Sequence, residues 1–156
     1  MAASEPWTAG RGAAIIAMHV GDECGVMRLL HALHDAFGYI PAPAVPMIAE
    51  ALNLSRAEVH GTISFYHDFR REPPGQHVLR LCRAEACQSV GGDQLAADVQ
   101  ERLGVGWHET TADGSVTLEP VFCLGLCAVG PSGMLDGTPL ARLDAAAVTT
   151  ALTDVQ

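Results

Sequence analysis

Four of the five cysteines in this 156-residue chain fall into two close pairs, Cys82/Cys87 and Cys123/Cys127, with thirty-five residues between the pairs. No other feature constrains the fold as tightly. Two thiols on each of two loops meet only if the segment 88–122 folds back and returns the second loop to the first. The spacings are C-x4-C and C-x3-C. Thiolates are soft donors that suit Zn²⁺ and iron–sulfur clusters. In a [2Fe–2S] centre each iron takes two thiolates beside the bridging sulfides, so two pairs supply one pair per iron. A structural zinc site more often uses the tighter C-x2-C. The spacing therefore favours iron–sulfur, with a zinc-stabilised module and unligated cysteines as the other readings. A thioredoxin-like redox catalyst needs C-x-x-C at a helix start, and the sequence has none.

Charge and composition remove several function classes. The formal net charge is −9, and all nine basic residues are Arg, with no Lys. Phosphate binding needs a basic patch that this sequence does not offer, so nucleic acid is not the expected partner. No apolar run reaches the roughly eighteen residues of a membrane helix, and the start M-A-A-S-E-P-W-T lacks the basic and apolar regions of a secretory signal. The expectation is a cytoplasmic chain with no membrane insertion. There thiols stay reduced, and an odd cysteine count argues for metal over disulfides. Cys24, far from the pairs, is read as a buried small hydrophobe. No G-x-G-x-x-G, P-loop or serine elbow is present, so a nucleotide or flavin would have to sit on a partner. His31 and His34 on one helix, and His60 and His67 on another, have no acidic or cysteine partners at ligand spacing and are read as ordinary histidines. No catalytic residue is assigned.

Along the chain, residues 1–21 are expected to be a flexible lead. From about 22 the pattern turns helical: Val26, Leu29, Leu30, Leu33 and Phe37 share a face, and Gly38 ends the run. Val45, Ile48, Ala49 and Leu52 stripe a second helix with Pro46 in its first turn. Ser55 and Glu58 form a capping box for a third helix through Val59, Ile63 and Tyr66 to about Phe69. Residues 22–72 thus predict a helical bundle, and R-R-E-P-P-G-Q at 70–76 a linker. In 73–156, H-V-L-R-L-C at 77–82 reads as a buried strand ending on Cys82. A helix with Leu95, Val99 and Leu103 follows, closed by Gly104. After a turn at Asp113–Gly114 a second strand delivers Cys123, two short strands flank Gly137, and Asp144 caps a last helix. The order β-α-β-β-β-α predicts a small thioredoxin-type sandwich. Gly125, Gly91, Gly92 and Gly130 are expected to let backbone amides approach the sulfurs.

With these residues in view, the chain resembles a family: the thioredoxin-like [2Fe–2S] subunits of 24-kDa type found in NADH:quinone oxidoreductase, in the diaphorase modules of NAD-reducing hydrogenases and in the gamma subunit of NAD-dependent formate dehydrogenases. The resemblance spans about 25–143. It rests on G-Y-I-P at 38–41, S-F-Y-H-D-F at 64–69, the cysteines at 82 and 87, and C-L-G-L-C at 123–127 followed by Pro131. It implies an α+β fold, a helical bundle followed by a thioredoxin-like α/β [2Fe–2S] domain. It also implies one cluster on Cys82, Cys87, Cys123 and Cys127, and docking on a flavoprotein (diaphorase, beta-type) subunit that carries FMN and NAD. In that family the cluster lies near the flavin but off the main electron route, as an acceptor or reservoir. Many respiratory members have Asn-Ala-Pro after the last cysteine region and an Ile-Asn motif further on. Here C-L-G-L-C-A-V-G-P-S-G-M-L-D-G stands instead and is most similar to the formate dehydrogenase gamma subunits. That resemblance implies a molybdenum- or tungsten-containing catalytic subunit in the same complex.

Overall fold

The structure, a computed structural model, describes residues 5–21 and 25–155. It divides into two compact units at Pro73/Pro74, and each is described by itself.

The first unit is four helices: α1 (Ala9–His19), α2 (Gly25–Phe37), α3 (Ala44–Ala51) and α4 (Arg56–Phe65). The lead expected to be flexible contains α1. Thr8 caps it by accepting from the Arg11 N–H at 3.2 Å, Arg11 forks onto the Glu5 carboxylate at 2.9–3.3 Å, and Ile15 and Ile16 are buried. Trp7 packs edge-on against Phe37 with ring centroids 5.0 Å apart. The buried residues, Gly12, Ile15 and Ile16, stand at i, i+3, i+4, but the first is a glycine covered by the Trp7 ring, so two isoleucines among Ala and Gly show no apolar stripe in the sequence.

Helix α2 has the expected face, with Leu29, Leu30, Leu33 and Phe37 essentially inaccessible. Residues 22–24 lie outside the described residues, so the expectation for Cys24 does too. In α4 the capping box is present, with the Ser55 N–H donating to Glu58 at 2.8 Å and the Glu58 N–H to Ser55 Oγ at 3.2 Å. The helix ends at Phe65 rather than Phe69, and Tyr66 faces solvent. Its C-cap residue has turned extended, so the chain bends and buries Phe69 under His31 and His34, with ring centroids at 5.0 and 6.0 Å.

The second unit is a five-stranded mixed sheet with three α-helices and one 3-10 turn (Cys127–Val129), completing an α+β chain. Its strands are β1 (His77–Cys82), β2 (Glu109–Thr110), β3 (Val116–Val121), β4 (Gly133–Leu135) and β5 (Thr138–Leu140), in the order β2-β3-β1-β4-β5. Among the described strands only the β1/β3 pair is parallel. Such a pair needs a crossover, and the crossover contains one-turn α5 (Glu85–Gln88) and α6 (Gly92–Leu103); α7 (Ala145–Thr153) ends the chain. Leu95 and Val99 of α6 and Val148 and Leu152 of α7 share one core with Leu79, Leu81, Val116 and Leu118 of the sheet. Asp144 caps α7 at 2.7 Å. The Asp113–Gly114 turn joins β2 to β3. There hydrogen bonds from the Thr111 hydroxyl and from Ser115 pull the Asp113 carboxyl down to about 2.

Candidate metal centre

The parallel pair explains how distant loops meet. Cys82 is the last residue of β1 and stands opposite Val121, the last of β3. Both strands therefore end at the same edge of the sheet, and the Arg83 N–H extends the ladder onto Val121 O at 2.8 Å. Cys123 lies two residues past β3. On the other flank of β1 the Cys82 N–H donates to Ser132 O at 2.9 Å, which fixes the loop entering β4.

Beyond Cys82 the chain enters α5, where the Cys87 N–H donates to Ala84 O at 2.9 Å. Arg83 ties this loop to α6 through Asp93 at 2.8 Å and lies over the Trp107 ring at 5.5 Å. Helix α6 begins so close to Cys87 that a Cβ on Gly92 would lie 2.6 Å from the Cys87 carbonyl oxygen. Among the glycines expected to aim amides at sulfur, Gly125 does so, its N–H donating to Cys123 Sγ at 3.4 Å. Gly91 instead donates to Gln88 O at 3.1 Å.

The four sulfurs form two unlike pairs. Cys82 and Cys87 are buried, at 4% and 1% exposure. Cys123 and Cys127 are exposed, with their sulfurs 3.9 Å apart. Cys123 has φ +89°, a conformation a residue with a Cβ rarely adopts and one found disproportionately at functional sites. Burial pushes the Cys82 thiol up, but hydrogen bonds from the Ala84 backbone, Cys87, the Cys123 backbone and Ser132 outweigh it, and the net shift is downward. The Cys127 thiol is pushed up, first by its hydrogen bond to Cys123 and that neighbour's charge, then by burial and by Cys87 and Cys82. The Cys127 thiol thus feels the other three.

A cationic centre held by these residues would favour their thiolate forms, and the donor set is purely soft. Among the described residues no group of three or more His, Cys, Asp or Glu converges on a single metal ion; the cysteines stand as two pairs, the donor pattern of a binuclear iron–sulfur unit. The residue that sequence reasoning missed is Ser132, buried at 2% with its Oγ 3.4 Å from Cys87 Sγ. Its only sequence signal is its place just after the second cysteine pair, in a Pro-Ser-Gly run that reads as a turn.

A thioredoxin-like sheet that brings two cysteine pairs to one edge defines a small iron–sulfur redox domain. The profile described as thioredoxin-like [2Fe-2S] ferredoxin matches residues 13–156. The chain is similar to a subunit of the NADH-quinone oxidoreductase of Pseudomonas aeruginosa, at 39% identity over 99 residues, 64% of this chain and 60% of that one. The corresponding NADH-quinone oxidoreductase subunit of Escherichia coli K12 is 35% identical over 71% of this chain and 67% of its own. That of Mycobacterium tuberculosis H37Rv is 34% identical over 78% and 48%. Among solved structures, the air-oxidized NAD+-reducing [NiFe]-hydrogenase superposes with a TM-score of 0.69 at 25% identity, covering 85% of this chain and 23% of that one. The chain therefore spans about half to two thirds of the length of these relatives, and less than a quarter of the hydrogenase chain. It belongs to the thioredoxin-like [2Fe-2S] ferredoxin family, that of the 24-kDa-type subunits of NADH dehydrogenase, and its cofactor is one [2Fe–2S] cluster. No helix among the described residues is long and apolar enough to cross a membrane.

Proposed function

We propose that this chain is a non-catalytic electron-transfer subunit of an NAD-linked oxidoreductase, with Cys82, Cys87, Cys123 and Cys127 as the cluster ligands. The observation that carries this is the placement of two sulfur pairs, one buried and one exposed, at the shared end of parallel β1 and β3. When bound, the cluster supplies reversible one-electron storage. The chain's own residues hold the thiolates, keep water from the Cys82/Cys87 side, and leave the Cys123/Cys127 side open to a partner. Exposed Phe122 and Val90, in the same loops, offer apolar contact there.

The partner is a flavoprotein subunit carrying FMN and the NAD site, since this chain has no nucleotide-binding motif. The parent complex is an NAD-dependent formate dehydrogenase with a molybdenum or tungsten subunit, a choice supported by the loop C-L-G-L-C-A-V-G-P-S-G-M-L-D-G. The relatives bear the names of a quinone reductase and a hydrogenase, which keeps those two parents as the outcomes to be separated. The setting is cytoplasmic, and the chain acts as an acceptor beside the flavin rather than an obligatory wire.

Anaerobic affinity purification of the tagged chain from its own cells tests this. Co-elution of an FMN protein, with reduction of the chain's cluster by NADH, is expected, and formate-dependent NAD reduction by the same eluate identifies the parent. A lone chain that NADH leaves oxidised contradicts the proposal. A complex that turns over quinone or hydrogen but not formate contradicts the parent alone.

A further inference from the structure

We infer that Ser132 is a positioning residue that tunes the cluster's reduction potential: its hydroxyl donates to the Cys87 sulfur of the buried cysteine pair. The inference rests on the ligand assignment proposed above.

Among the described residues the buried polar side chains are Thr117 and Ser132, and Thr117 is accounted for by the Gly75 N–H at 2.7 Å and by Thr110 Oγ1 at 2.8 Å. Ser132 faces sulfur instead. Leu81 pairs with Gly133 across antiparallel β1 and β4, so Ser132 is the next residue out and lies opposite Cys82, to which it is joined by the Cys82 N–H at 2.9 Å. Residues directly opposite on antiparallel strands project to the same face. That places the Ser132 Oγ 3.4 Å from Cys87 Sγ.

Between a serine and a free thiol either group can donate. Once the sulfur is a thiolate ligand it has no proton to give, so the hydroxyl must be the donor. Reduction adds negative charge to the ligand sulfurs, which strengthens an O–H···S bond and favours the reduced form. The effect is greatest where water is excluded, as at this pair. The exposed pair has a backbone donor from Gly125 and solvent nearby, so loss of one donor there would be replaced by water. Loss of Ser132 would not.

The test is Ser132→Ala in the full-length chain, loaded anaerobically, with iron and sulfide assays followed by an EPR-monitored redox titration. We expect full loading and a reduction equilibrium shifted at least threefold toward the oxidised form, a tenfold shift being 59 mV for one electron. Ser132→Thr, which keeps the hydroxyl, should return the midpoint toward that of the natural chain. If the alanine variant does not load, Ser132→Cys replaces it under the same criterion, because it keeps the size and weakens the donor. Variants that load fully and titrate with the natural chain overturn the role of Ser132. A natural chain that takes up no [2Fe–2S] cluster overturns the ligand assignment instead.

Discussion

Replacing Gly92 by alanine probes most sharply how the fold holds its buried cysteine. A Cβ there would lie 2.6 Å from the Cys87 carbonyl oxygen and 2.8 Å from its carbon. Moving the oxygen out from 2.6 Å to the 3.4 Å of ordinary contact requires a displacement of 0.8 Å. Both obstructing atoms are backbone, so no rotamer change relieves the clash. Helix α6 is anchored through buried Leu95, Ala96 and Val99, whereas α5 is a single turn. The short turn therefore moves, and Cys87 moves with it. Overpacking of this kind costs about 1–3 kcal/mol, partly offset by the better helix propensity of alanine. Gly61→Ala is the control: Gly61 is an exposed interior residue of α4 with nothing within 4 Å of its would-be Cβ. It should gain up to about 1 kcal/mol from propensity alone. Denaturant unfolding and iron per chain, measured on both variants, check this. The expected pattern is Gly92→Ala less stable and under-loaded, with Gly61→Ala fully loaded. A Gly92→Ala variant that unfolds with the natural chain and loads fully would mean that this contact does not fix Cys87.

Three further outcomes follow from the same structure. Ser55→Ala removes the N-cap of α4 and should cost about 1 kcal/mol by urea denaturation. Leu79→Ala, at a fully buried position in β1, should cost about 2–5 kcal/mol in the same assay. His34 has a buried Nε2 with no hydrogen-bond partner. Burial and then Arg70 lower its pKa, with Asp35 opposing, His31 adding to the lowering and Asp68 opposing it least. The unfolded chain then binds more protons than the folded one just below the ordinary histidine value of about 6.5. Stability should fall as pH drops from there to the folded pKa, and urea midpoints of His34→Leu should lose that dependence.

The features legible in the sequence are those with a period or a fixed chemistry. The α2 stripe, the Ser55–Glu58 box, the Asp113–Gly114 turn and the strands ending near Cys82 and Cys123 all follow from local rules. In α1 the buried face is Gly12, Ile15 and Ile16, and because its first member is a glycine lying under Trp7 the sequence shows only two adjacent isoleucines and no apolar stripe. Strand β2 has two residues and exists only because β3 offers an edge. The early end of α4 depends on where Phe69 finds its pocket, a tertiary fact. Ser132 gains its place by pairing with a residue fifty positions earlier, which no local window contains. Likewise, the sequence offers four paired cysteines but not which pair is buried; Cys82 ends the central strand and Cys87 lies in α5, whereas Cys123 and Cys127 lie between β3 and β4.

Whether the four paired cysteines carry one [2Fe–2S] cluster is decided by anaerobic purification of the chain, metal and sulfide analysis, and EPR before and after dithionite. Each measurement is repeated on Cys82→Ser, Cys87→Ser, Cys123→Ser and Cys127→Ser. Brown protein with two irons and two sulfides per chain, EPR-active only on reduction, is expected, with every serine variant altered in content or spectrum. Colourless protein that keeps stoichiometric zinc and stays EPR-silent, or serine variants whose cluster is unchanged, would rule that assignment out.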